Sequence, residues 1–304
     1  MKIKTINKIL CNKFDEFLES ITDERVKKMV KENSIITGGC IASMLLKEPV
    51  NDYDIYFTNK ETVKAVAEYY VNIFNLANKE TGYVLDGASY DTSRWAGGVA
   101  LNMTPDRIKI VFESKGIAKE ENAITDEELI EEFPDGRPKV EEESKPRYRP
   151  IFISCNAITL SNSIQIVIRF YGNAEEIHGH YDYIHCVNYW QSSDEKLTLK
   201  QPALESLLAK ELIYNGSLYP IASIIRTRKF IKRGWTINAG QYLKMAFQVS
   251  KLDLTNIEVL EDQLTGVDVA YFNTLIEALQ DHIARNSEFK LEYSYLAAII
   301  DKIF

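Results

Sequence analysis

The chain has 304 residues, 45% of them hydrophobic and 26% charged, which is ordinary globular usage and excludes a chain disordered throughout. Its formal net charge of −8 excludes a surface coated for indiscriminate nucleic-acid binding, while leaving room for a local basic patch. No apolar run is long enough to cross a bilayer, and the first residues carry Lys2, Lys4, Lys8, Lys13, Asp15 and Glu16 where a signal peptide has its apolar core, so a cytoplasmic protein with no membrane partner is expected. Cys11, Cys40, Cys155 and Cys186 are scattered with no C-x-x-C spacing, which argues against a structural zinc or a disulfide framework.

In chain order, Ile6, Ile9, Leu10, Phe14, Phe17, Leu18 and Ile21, then Val26, Met29 and Val30, recur at helical intervals and predict two amphipathic helices over residues 5–32. Ser34–Thr37 reads as a short strand running into Gly38-Gly39, Ile41–Leu46 as a short helix, Asp52–Phe57 as a second strand and Lys60–Asn75 as a helix. Ile108–Phe112 is β-like. Residues 118–149 are dense in Glu and Asp with Pro134, Gly136, Pro138 and Pro146 among them, which predicts a solvated insertion. Ile151–Leu160 and Ile164–Phe170 are β-rich and parted by Ser161-Asn162-Ser163, as in a hairpin. From about Pro202 the apolar spacing is helical again. The expected fold class is therefore α+β: N-terminal helices at 1–33, a head with a small mixed sheet at 34–200, and a helical C-terminal region at 201–304 that offers a surface for a protein partner.

The most informative residues are Gly38, Gly39, Asp52 and Asp54. Two aspartates separated by one residue on an extended segment project from one face, roughly 7 Å apart along the strand, which suits a shared divalent ion. Magnesium prefers one or two carboxylates plus waters and phosphate oxygens, so this pair beside a phosphate cradle points to metal-assisted phosphoryl transfer. The glycines supply the cradle, because without a Cβ their backbone N–H groups can approach phosphate closely, and a helix starting near Cys40 adds its positive end. Arg226, Arg228, Lys229, Lys232 and Arg233 interleave with Ile225, Phe230 and Trp235 as a helix with a cationic exterior, a candidate contact for RNA phosphates or a triphosphate. Tyr181, Tyr183, Tyr189 and Trp190 are either stacking partners for a base or core residues. His178, His180, His185 and Cys186 crowd four possible metal ligands into nine positions, but zinc sites usually separate their ligand pairs better. No metal is expected there, and one of these histidines facing a phosphate or ribose is the alternative.

The run from Glu24 to Phe57, ERVKKMVKENSIITGGCIASMLLKEPVNDYDIYF, resembles the head of the tRNA nucleotidyltransferases (CCA-adding enzymes) of the polymerase-beta-type nucleotidyltransferase superfamily. Weaker similarity continues in IQIVIRF at Ile164–Phe170, in Asp182–Tyr189 and in IIRTRKFIKRGW at Ile224–Trp235. The resemblance implies a nucleotidyltransferase head in which Asp52 and Asp54 are catalytic and hold Mg2+. It also implies that Gly38 and Gly39 meet the triphosphate, that Asp182 and Asn188 orient the sugar, and that Arg226 steadies the phosphates or base. The implied reaction moves NMP from an NTP to an acceptor hydroxyl, most naturally an RNA or tRNA 3′ end, although a protein or small-molecule acceptor stays open. So does a non-catalytic, bacteriophage-type descendant with a binding or assembly role, in the host cytoplasm or the virion. The departures are specific. Gln165 stands where the family has its third metal-binding carboxylate, His180 and Tyr181 stand where it has arginines, and its base-templating Glu-Asp and first Arg are missing around Pro220–Ser223. Asp106 or Glu113 returning a third carboxylate is a further possibility.

Overall fold

The structure, a computed structural model, describes residues 1–77, 84–86, 99–104, 108–112, 117–119, 147–154 and 156–254, with residues 256, 259, 262, 263 and 301. Contacts divide the chain into two units, one of Met1–His178 with Cys186–Lys200 and one of Gly179–His185 with Gln201–Phe304.

The first unit opens with α1 (Ile3–Ser20) and α2 (Glu24–Asn33). The apolar stripe of α1, Ile6, Leu10, Phe14, Phe17 and Leu18, is buried as its 3.6-residue period requires. Asp23 caps α2, its Oδ1 accepting from the N–H groups of Arg25 and Val26 at 2.9 and 3.0 Å, which satisfies donors that have no partner inside the helix. β1 (Ser34–Thr37), α3 (Gly39–Leu46), β2 (Tyr53–Phe57) and α4 (Lys60–Ala77) follow in the expected order. Asp52 lies one residue ahead of β2, so only Asp54 of the pair is a strand residue, a correction to the expected strand over Asp52–Phe57.

β3 (Val84–Asp86), β4 (Val99–Met103) and β5 (Ile108–Phe112) form a separate three-stranded sheet. The main sheet is completed by β6 (Ile117–Lys119), β7 (Pro150–Ser154), β8 (Ala157–Leu160), β9 (Ile164–Tyr171), β10 (Tyr189–Gln191) and β11 (Lys196–Thr198), in the spatial order β11-β10-β1-β2-β9-β8-β7-β6. It is mixed: β2 and β9 run parallel and every other neighbouring pair antiparallel. The segment Ile151–Leu160 is thus two strands, not one, because Ser154 Oγ accepts from the Ala157 N–H at 3.1 Å and turns the chain. The two ends of the expected insertion over 118–149 are built into the first unit. Residues 118–119 belong to β6, Tyr148 is buried against Phe17 with ring centroids 6.0 Å apart, and residues 120–146 lie outside the described residues.

A row of residues paired across this sheet, Leu197, Trp190, Ile36, Ile55, Ile166, Ile158 and Ile153, is buried in one apolar cluster with α1, α2, α3 and α4. A short α5 (Ala174–His178) follows β9, and a 3-10 turn spans Ile184–Cys186.

The described part of the second unit is helical: α6 (Gln201–Ala209), α7 (Pro220–Lys232) and α8 (Ala239–Val249). Pro220 begins α7, where its missing N–H costs nothing, and Asn238 caps α8 by accepting from the Gln241 N–H. Tyr183 anchors this unit by donating its hydroxyl to the Ser223 carbonyl at 2.7 Å. The α+β class read from the sequence is the class the chain adopts, and no helix among the described residues is long and apolar enough to cross a membrane.

Candidate nucleotide site

Strand side chains alternate between faces, so moving one residue along the buried row exposes the opposite chemistry. The next row across the main sheet reads Thr198, Tyr189, Thr37, Asp54, Gln165 and Thr159. Six polar or amphipathic residues from six strands share one face. Asp54 sits mid-row, flanked by Thr37 on β1 and Gln165 on the parallel strand β9.

At the end of β1 the chain turns sharply at Gly38, with φ 95° and ψ −151°, a region closed to side chains, and enters α3 at Gly39. The Gly38 N–H donates to the Cys186 carbonyl at 3.2 Å. Of the two glycines expected to form a phosphate cradle, Gly38 makes the turn with its N–H engaged within the protein, and Gly39 opens the helix. A Cβ built on Gly39 meets no atom of the described residues within 4 Å, so among them the space over the first turn of α3 is open, at the positive end of the helix.

The Thr37 side chain is fully buried beneath this turn. Its Oγ1 lies 2.9 Å from His178 Nε2, 2.9 Å from the Asn188 carbonyl and 3.3 Å from that of Cys186. Asn188, the residue expected to orient a ribose, braces the sheet. It is fully buried, and its Oδ1 accepts from the Lys200 N–H at 2.9 Å, tying the start of β10 to the end of β11. The Lys200 ammonium pairs with Glu175 on α5 and lies 5.8 Å from the centroid of the Tyr189 ring. His178 is held neutral well below the usual histidine range, down to about 4, chiefly by burial.

The carboxyl of Asp54 is raised to about 8, by burial first and by the neighbouring charge of Asp52 second. A carboxylate disfavoured on both counts is a place where a divalent cation is welcome, because the ion offsets the desolvation and the repulsion together. Two adjacent carboxyl groups are the kind of donor set magnesium takes, and Asp52 and Asp54 are the residues that would hold it. Gln165 occupies the row position beside Asp54, where its amide brings no charge. Among the described residues no group of three His, Cys, Asp or Glu is placed to hold a metal, and Asp106 and Glu113 lie outside them. Cys11, Cys40 and Cys186 form no disulfide among the described residues, and burial pushes Cys40 well above the ordinary cysteine value.

In the second unit, Arg226 of α7 donates through Nη1 to Asp182 Oδ2 at 2.5 Å. These two residues, expected to serve sugar and phosphate separately, neutralise one another. Arg228, Lys229, Lys232 and Arg233 are exposed, but α7 ends at Lys232 and Arg233 is its C-cap. His185 packs in the second unit. It is buried among Tyr183, Phe230 and Trp235, with centroids 6.0, 4.8 and 4.4 Å away, and is lowered to about 3 by burial and then by Arg233. Tyr183 and Trp190 are core residues, while Tyr189 is half-buried on the polar row. Sequence reasoning missed Thr37. Its signal was a polar residue closing an apolar strand immediately before the double glycine.

A family model described as Gabija anti-defense 2 family protein matches residues 8–210. The chain belongs to the Gabija anti-defense 2 family. A relative of that name from Bacillus phage SPbetaL7 is 25% identical over 117 residues, 38% of this chain and 29% of the relative, so the match spans less than a third of the relative's length. Among solved structures, this family member is similar to the Thermotoga maritima CCA-adding enzyme complexed with tRNA, at 10% identity and a TM-score of 0.39 over 92% of this chain and 57% of that one. It is also similar to the Bacillus stearothermophilus CCA-adding enzyme in complex with CTP, at 11% identity and a TM-score of 0.35 over 87% of this chain and 51% of that one. The chain thus spans a little over half the length of those enzymes. With TM-scores below 0.5, the fold of this Gabija anti-defense 2 family member stands on its own strand order and register.

Proposed function

We propose that this Gabija anti-defense 2 family protein is a magnesium-dependent nucleotidyltransferase that a phage uses against host defence, moving NMP from an NTP to an acceptor hydroxyl. The observation that carries the reading is the placement of Asp54, with Asp52 beside it, on the polar row next to Thr37 and the Gly38 turn, under the open first turn of α3. The motif order raised that expectation, and the register supports it.

In this reading Asp52 and Asp54 hold the metal, and the Gly39 end of α3 receives the phosphate charge. The chemistry magnesium would supply when held there is polarisation of the phosphate oxygens and a lowered pKa for the acceptor hydroxyl. The acceptor oxygen bonds to the α-phosphorus as its proton passes to solvent, the bond from that phosphorus to its bridging oxygen breaks, and pyrophosphate leaves with the electron pair. Asp54 and Gln165 are half-buried, so the row keeps contact with solvent on its open face. An RNA or tRNA end is the proposed acceptor.

A second reading, nucleotide binding without transfer, is favoured by one observation: the neutral amide of Gln165 lies beside Asp54 where the resembled family has a carboxylate. The two readings part in a direct assay. Purified protein is incubated with each α-labelled NTP, magnesium and either total RNA or host lysate, beside Asp52→Asn/Asp54→Asn. Transfer by the wild type that falls at least ~10³-fold in the variant is expected, since such catalysis is almost wholly positioning and charge stabilisation. Transfer undiminished in the variant contradicts the assignment, and nucleotide binding with no transfer to any acceptor selects the second reading.

A further inference from the structure

The buried hydroxyl under the Gly38 turn has more partners than an anchoring threonine needs, and their directions can be worked out. A hydroxyl has one proton to give. Thr37 Oγ1 has two carbonyl oxygens within reach, at 2.9 Å on Asn188 and 3.3 Å on Cys186, and neither can donate. Two oxygens at 2.9 Å with no proton between them repel, so the Thr37 proton lies on the Asn188 carbonyl. The 2.9 Å contact to His178 Nε2 then requires histidine to be the donor, which fixes its neutral form with the proton on Nε2. The burial that holds His178 neutral agrees with this assignment.

The consequence is a three-way clamp. Thr37 belongs to the end of β1, His178 to the end of α5, and Asn188 to the lead-in of β10, 141 and 151 residues away in sequence. The next residue after Thr37 is Gly38, whose N–H is tied to the same lead-in through Cys186. Across the register Thr37 faces Asp54. Any swing of the Thr37 peptide would therefore move the Gly38 turn, and with it the first turn of α3, relative to the carboxylates. α5 is itself fixed twice on one helical face, by Glu175 to Lys200 and, three residues on, by His178 to Thr37.

We propose that His178, acting through Thr37, is the positioning residue that holds the cradle in register with Asp52 and Asp54 for the triphosphate of the incoming nucleotide; this rests on the function proposed above. His178 does not touch substrate. Its role is to fix where the Gly38 turn and the Gly39 end of α3 stand. A cradle grips the triphosphate equally in the ground and transition states, so its displacement weakens binding and raises KM more than it lowers kcat.

The test measures affinity for each of ATP, CTP, GTP and UTP with magnesium by calorimetry, with the thermal midpoint read in parallel, for wild type, Thr37→Val, His178→Leu, the double variant, and His178→Gln. The single variants T37V and H178L are expected to bind NTP about tenfold more weakly, which converts to about 1.4 kcal/mol. The double variant should be no weaker than T37V, because T37V already removes the bond that H178L removes. H178Q should recover most of the affinity, since its amide nitrogen places a donor where Nε2 stands. Lower thermal midpoints with NTP affinity unchanged in H178L and T37V would show a merely structural role and overturn the inference alone. Additive losses, or no recovery in H178Q, also overturn it. A wild type that binds no NTP overturns the proposed function and this inference together.

Discussion

Gly38 and Gly39 adjoin in sequence but do different work. The φ of 95° with ψ −151° at Gly38 belongs to a region essentially reserved for glycine, so Gly38→Ala should cost roughly 1–3 kcal/mol of stability. At Gly39 a methyl group meets nothing within 4 Å, so Gly39→Ala should leave stability within about 0.5 kcal/mol while weakening Mg-NTP binding, because the methyl enters the space a phosphate would take. Denaturant unfolding and nucleotide calorimetry on the two variants check this split; equal loss of stability in both would contradict it. His185 makes a prediction of another kind. Its folded value of about 3 lies below the ordinary 6.5, because burial and then Arg233 disfavour its charge. Above pH 6.5 the ring is neutral folded or unfolded and adds nothing to the pH dependence. As pH falls from about 6.5 toward 3, the unfolded chain takes up a proton that the folded chain refuses, and stability falls by up to about 1.4 kcal/mol per pH unit. Unfolding measured between pH 7 and pH 4 should show a shallower slope in His185→Phe than in the wild type.

Among the elements, the main sheet matters most to the site, because one residue of register separates its apolar row from its polar one. The alternation is legible in the residues themselves: Ile36 and Ile55 against Thr37 and Asp54, with the double glycine fixing where the strand must stop. Helices α1 and α2 are legible for the same reason, a strong 3.6-residue stripe. The break between β7 and β8 is not, since Ser154 turning the chain looks like any serine in a β-rich run. The Asp182–Arg226 pair is also hidden, because its members are 44 residues apart and each separately suits a nucleotide. Thr37 and His178 are hidden by still greater distance along the chain. Gln165 can be set against the aspartates from the sequence only because the resemblance locates its strand, and the parallel pairing of β2 with β9 puts it beside Asp54. A variant follows. Gln165→Asp adds a third carboxyl group next to one already raised to about 8. It should lower the thermal midpoint in EDTA and bind magnesium more tightly than the wild type, with the midpoint recovered on adding the ion. An unchanged midpoint and unchanged magnesium affinity would place the amide outside the metal's reach.

At the scale of the whole molecule, the chain joins an α+β unit built around the polar row to a second unit whose described part is helical. The two units treat charge differently. Asp52 and Asp54 bring two carboxyl groups together in the first, whereas Asp182 and Arg226 cancel in the second. The family to which the chain belongs is named for overcoming a defence, and the proposed chemistry gives that role a mechanism only if transfer itself is what counters it. The most direct measurement is phage growth on cells carrying Gabija defence, with the wild-type protein or Asp52→Asn/Asp54→Asn expressed to equal levels and shown to have equal thermal midpoints. If transfer is the means, the wild type restores phage growth and the double variant does not. Equal restoration by the folded variant would contradict this and leave a protein that acts by binding alone.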